Sequence, residues 1–125
     1  MNNKSNAIEV ITTADAENLC RVTNHFHDCC IAQYEHANDE IHIRLDSSYG
    51  FLIDLWFKGD VACSLNLLYL VERGDPDWQI ASVLLQNDYI YLVDNTNVNL
   101  DKLSNELCWF RGKWLWYNTT PKEKL

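Results

Sequence analysis

The spacing of hydrophobic positions changes once along this chain. Within "TTADAENLCRVTNHF", Leu19, Val22, Thr23 and Phe26 recur at helical spacing and lay down one apolar stripe. Thr13 is the expected N-cap, and Asp15 and Glu17 suit the positive end of the helix dipole. After His27 the period falls from 3.6 to 2. "CCIAQYEH", the polar turn "AND" and "EIHIRLD" then read as a β-hairpin. Ile41, Ile43 and Leu45 face one way, and His42, Arg44 and Asp46 the other.

Alternation continues downstream. "FLIDLWFK" and "VACSLNLLYLVE" read as a second hairpin across Gly59-Asp60. Phe51, Ile53, Leu55 and Phe57 share the face expected to build the core, with Val61, Cys63, Leu65, Leu67, Tyr69 and Val71. The opposite face, with Leu52, Asp54 and Trp56, is only half polar, so something must cover part of it. After the turn "RGDPD", "WQIASVLLQ" and "YIYLVD" make a third hairpin over "ND". "NTNVNLDKLSNE" reads as a loop with one helical turn. In the last strand, "LCWFRGKWLWYN", Phe110, Gly112, Trp114 and Trp116 share one face. Trp109, Arg111, Lys113, Leu115 and Tyr117 share the other, and Gly112 marks a bulge or a turn.

Short connections imply antiparallel neighbours. The expected fold is therefore α+β: an N-terminal helix packed on a twisted, mainly antiparallel sheet of six to seven strands, curled into a half-barrel or a small sandwich. One domain spans residues 1–125, with 1–12 as an arm or edge strand and 118–125 as a loose tail. A chain of 125 residues buries about two-thirds of its unfolded surface, enough for a core without disulfides or metal.

Charge narrows the function classes. The net is −8, unevenly spread: residues 35–110 carry thirteen acids and four bases, whereas residues 111–125 carry four bases and one acid. An acidic body repels phosphate backbones and suits a basic protein partner, so nucleic acid is not an expected ligand. No apolar run reaches the roughly 20 residues of a membrane span, and "MNNKSNAIEV" has no signal-peptide character. The five cysteines, an odd number, are then expected as reduced thiols in the cytoplasm.

The densest chemistry is "HFHDCC", residues 25–30. His25, His27, Asp28 and Cys29 are the weak metal candidates. Zinc ligands, however, come in wider paired spacings, and adjacent residues on a strand point to opposite faces. A His-Asp pair also serves metal-dependent phosphohydrolases, but those enzymes draw their ligands from a helical bundle. A nucleophilic Cys29 with His27 as base would need the two closer than the about 6.5–7 Å that strand spacing gives. The favoured reading is a structural joint. The imidazoles cap helix carbonyls, Phe26 anchors the helix, Asp28 accepts backbone N–H groups and the cysteines enter the core. No cofactor is expected.

Two other features carry weight. Asp54, between Ile53 and Leu55, is either an outward strand residue or an acid of raised pKa. Glu35, Asp39 and Glu40 flank the first turn and are expected in solvent. "WFRGKWLWY" is either a final strand with two Trp in the core or a contact surface of the kind that dominates protein hot spots. As a contact surface its residues are Trp109, Arg111, Lys113 and Tyr117, joined by Trp56.

A short helix ending in "FHD", an immediate hairpin, "GFLIDLWFKGD" and a Trp-containing final strand resemble small uncharacterised bacterial α+β families. Some of these are grouped with the immunity proteins of polymorphic toxin systems. The likeness covers residues 15–117 and carries no catalytic residue with it. It implies a binder that masks a toxin with acidic surface. The function expected is thus non-enzymatic protein binding of immunity type. The alternatives are a homodimeric structural domain and a small metal- or thiol-dependent enzyme centred on His27, Asp28 and Cys29.

Overall fold

A computed structural model describes residues 6–47, 50–64, 81–94, 100 and 108–122. The elements run β1 (Ile8–Val10), α1 (Thr13–Val22), a 3-10 turn (Asn24–Phe26), β2 (Cys30–Ala37), β3 (Glu40–Asp46), β4 (Phe51–Lys58), β5 (Ala62–Ser64), β6 (Ser82–Gln86), β7 (Tyr89–Val93), β8 (Trp109–Gly112) and β9 (Trp114–Pro121).

The helix starts one residue earlier than the sequence suggests, with Thr12 as N-cap. The Thr12 hydroxyl accepts the Asp15 N–H at 3.1 Å, and the Asp15 carboxylate accepts the Thr12 and Ile11 N–H groups at 2.9 Å each. This reciprocal cap requires an acceptor three residues after the cap. From Thr12 that residue is Asp15, whereas from Thr13 it is Ala16. The helix also stops sooner than expected. Thr23 donates its backbone N–H and its hydroxyl to the Leu19 carbonyl, at 3.1 and 2.8 Å, so a threonine takes the capping role assigned to the histidines. Asn24, His25 and Phe26 then adopt left-handed backbone, with φ of 52, 55 and 58°. Phe26 is fully buried, as expected of an anchor, and β2 begins at Cys30.

Two hairpins form as alternation predicts, β2–β3 and β6–β7. Both turn on two residues of positive φ, Asn38-Asp39 and Asn87-Asp88, the backbone that tight hairpins need. The hairpin across Gly59-Asp60 does not form. β4 pairs with β3 and β9, while β5 pairs with β8. The strands therefore make two antiparallel sheets among the described residues, ordered β1-β9-β4-β3-β2 and β5-β8-β7-β6, in place of one sheet of six or seven strands. Leu65 to Val71, proposed for the core, lie outside the described residues, as does the helical turn near residue 101.

Ile41, Ile43, Leu45, Ile53, Leu55 and Phe57 from the larger sheet meet Val83, Leu92 and Phe110 from the smaller one. Ala16, Leu19 and Phe26 join them in the same core. Each large apolar side chain buried there contributes about 1.5–3 kcal/mol. Among the described residues the chain passes between sheets twice at one corner. It leaves the larger sheet at Gly59-Asp60 and returns at Gly112-Lys113. Lys113 steps out of the alternation, so the inward positions change from Phe110 and Gly112 to Leu115 and Tyr117. Trp114, expected in the core, is consequently exposed, and Trp116 is half-buried. β9 also continues to Pro121, pairing residues first read as tail with Phe51–Asp54.

Candidate functional site

The corner is a dense piece of backbone. The Lys113 N–H lies 3.0 Å from both the Lys58 and the Gly59 carbonyl, which ties the two crossings together. Gly112 suits this close approach, since a β-carbon on it would lie 3.0 Å from the Lys58 nitrogen and 3.1 Å from the Phe57 β-carbon, a tight fit. Asp39 is exposed at its turn, as expected, and it also fastens the crossing. Its carboxylate accepts the Asp60 and Val61 N–H groups at 3.0 and 3.1 Å, and its carbonyl accepts the Gly59 N–H at 3.2 Å. The bonds from Val61 and Asp60 hold the Asp39 carboxyl below its ordinary range.

Beside this corner lies a groove of about 470 Å³. Val10 and Ile11 at the end of β1, Leu85 and Ile90 flanking the β6–β7 turn, and Trp114 supply its apolar walls. Glu9, Asp88 and Lys113 supply charge at its margin. Six large hydrophobic side chains stand exposed among the described residues, and three of them line this groove: Ile11 at 67%, Trp114 at 46% and Leu85 at 36%. The Trp114 ring rests on Gly59, where φ is +86°. The indole is therefore held in place by backbone while one side of it remains open, the condition for a rigid aromatic anchor.

The residues first assigned to a contact surface do not gather in one place. Lys113 is exposed at the groove. Trp109 and Arg111 lie on the outer face of the smaller sheet, opposite Val93 and Tyr91. There the Arg111 guanidinium sits 4.4 Å over the Tyr89 ring, and the Tyr89 hydroxyl donates to Asp60. That hydrogen bond is the main cause of a raised Tyr89 pKa. Tyr117 is a core residue at 3% exposure, with its hydroxyl accepting from the Asn18 amide at 3.2 Å, so it offers a partner no surface.

Trp56 is also buried, on the outer face of the larger sheet, where it belongs to a polar network. Its ring stacks on His42 at 5.0 Å and 9°. His42 Nε2 lies 2.8 Å from the Asp54 carboxylate, which accepts Arg44 Nε and Nη2 at 3.1 and 3.2 Å. Asp54 thus takes the outward register position, yet it is only 1% exposed because Arg44 and His42 close over it. The bidentate pair offsets the cost of burying the carboxylate. This cover explains much of the half-polar face that the sequence left open.

The "HFHDCC" residues are not assembled as a reactive centre. His27 Nε2 lies 3.4 Å from Asp28, and both side chains are nearly half exposed, whereas Cys29 has no exposed surface and packs in the core. His25 lines a second groove with Cys20 and Glu17, but burial raises the Cys20 thiol pKa and so opposes a thiolate there. Among the described residues no three His, Cys, Asp or Glu side chains converge as a metal site, and no helix is long and apolar enough to cross a membrane.

Sequence reasoning missed Trp114, Ile11 and Leu85. The available signal was Gly112-Lys113, a break in alternation that reverses which tryptophan faces inward. No family model, no curated protein and no solved structure matches this chain.

Proposed function

We propose that this chain is a non-enzymatic protein-binding domain that holds its partner in the corner groove. One observation carries the reading: half of the exposed large hydrophobics among the described residues converge on that groove, around an indole fixed against Gly59. Exposed apolar surface gathered in a concavity and rimmed by charge is the pattern of an interaction site. Tryptophan is the side chain most often found at the energetic centre of one. The chain's net charge of −8 favours a basic partner. An immunity-type role, in which a cytoplasmic binder masks a basic toxin, fits this charge and the likeness drawn from "FHD" and the strands after it.

The test compares the wild-type chain with Trp114→Ala and Leu85→Asp in affinity purification from the source cells. A partner enriched by the wild type and lost with both variants supports the groove. An identical set of proteins recovered by all three chains refutes it. Sedimentation of the purified chain separates a homodimer from a heterologous complex. Self-association abolished by Trp114→Ala would assign the groove to a second copy of this chain.

A further inference from the structure

Among the described residues β2 and β5 are the outermost strands of the two sheets, and three donor atoms gather between them. Tyr34 and His36 stand two apart on β2, hence on one face. Their cross-strand neighbours are Ile43 and Ile41, both core residues, so that face looks toward the smaller sheet. Cys63 on β5 is opposite Phe110 and also packs against the core. The Tyr34 hydroxyl lies 3.4 Å from Cys63 Sγ and 3.5 Å from His36 Nδ1. Phe110 flanks the Tyr34 ring at 6.4 Å and steadies it.

We propose that Tyr34, His36 and Cys63 form a site for a borderline divalent cation, Zn²⁺, which clips β2 of one sheet to β5 of the other. The two separations measured from the phenol oxygen suit the ion. Tetrahedral zinc with bonds of about 2.0–2.3 Å places neighbouring donors roughly 3.3–3.7 Å apart. A thiolate with an imidazole selects zinc over magnesium or calcium. The phenol oxygen completes a set that His, Cys, Asp and Glu alone do not form, and water takes the fourth position. The phenol gives up its proton only as the cation takes its place. Binding releases one proton from the phenol and one from the thiol to solvent, and no electron moves.

The full chain, reduced and stripped of metal, is titrated with Co²⁺ and then Zn²⁺. One equivalent of Co²⁺ should give a thiolate-to-cobalt charge-transfer band that Zn²⁺ removes. Zn²⁺ should raise Tm by several degrees and slow alkylation of Cys63, mapped by mass spectrometry, by roughly tenfold or more. Cys63→Ser and His36→Ala should abolish the band and the Tm shift, and Tyr34→Phe should weaken Zn²⁺ binding about tenfold or more. Any of three results overturns the site. These are the absence of the band together with an unmoved Tm, a band that survives Cys63→Ser, and unchanged Zn²⁺ affinity in Tyr34→Phe. Because these side chains lie outside the corner groove, failure here leaves partner binding by Trp114 as it was.

Discussion

Trp114 and Gly59 are fitted to each other: a β-carbon built at 59 would overlap the indole, coming within 2.7 Å of its Cε3 atom. The contact joins the crossing out of the larger sheet to the strand that returns to it. It also fixes the side chain on which partner binding is proposed to depend.

Gly59→Ala should therefore be destabilising twice over. Its φ of +86° is one that side-chain-bearing residues resist, and the added methyl meets the ring. A loss of about 1–3 kcal/mol is expected as a lower urea midpoint at unchanged m-value. Trp114→Ala in the same chain should recover the part due to overlap and leave the backbone part. Additive losses in the double variant would show that the two residues do not interact.

Asp39 makes the corner sensitive to acid. Its folded carboxyl is held below the ordinary value by the Val61 and Asp60 N–H groups. A lowered folded pKa adds stability that is present above the unfolded-state value, about 3.9, and is lost as pH falls through the folded value. Asp15, held down by the Ile11 and Thr12 N–H groups, acts in the same sense. Stability measured by urea from about pH 5 downward should thus decline. Asp39→Asn should flatten that decline while leaving the Asp15 share. An acid limb of unchanged steepness would contradict the assignment.

Asp54 presents the opposite case, a carboxylate shut away from water. Asp54→Ala leaves Arg44 without its bidentate acceptor and should cost about 3–5 kcal/mol. The double replacement Asp54→Leu with Arg44→Met removes both charges and should return most of that loss. Chemical denaturation of the single and double variants decides it. A double variant as unstable as Asp54→Ala would mean that the pair itself, rather than the orphaned charge, supplies the stability.

Thr12 predicts a smaller, local effect. Thr12→Ala removes the acceptor for the Asp15 N–H and should cost about 1 kcal/mol, and Thr13→Ala should cost almost nothing. Thermal melts of the two variants would reveal a misplaced cap if the order were reversed.

What the sequence discloses is local. β2–β3 and β6–β7 are legible because alternation and a two-residue turn specify their pairing within about twenty residues. The inward set of β3 is legible for the same reason. Gly59-Asp60 is not, since alternation continues through it. Whether the next strand pairs with β4 or leaves for another sheet depends on β8 and β9, some fifty residues away. Lys113 hides a second non-local fact. One residue out of step turns Leu115 and Tyr117 inward and Trp114 outward, so a surface assigned from the uninterrupted period contains a core tyrosine and omits the exposed indole. Asp54 was ambiguous because its register position is outward, and only the cross-strand placement of Arg44 and His42 shuts it in.

The Lys113 N–H bonds to Lys58 and Gly59 have a consequence for the order of events during synthesis. They join stations far apart on the chain, so the intervening stretch must be closed into a loop before they can form, and such closures come late in folding. A ribosome-bound chain that has emerged only as far as β7 has no Trp114 to offer. The recognition proposed for the corner would thereby be withheld from nascent and truncated molecules and reserved for those that have finished folding.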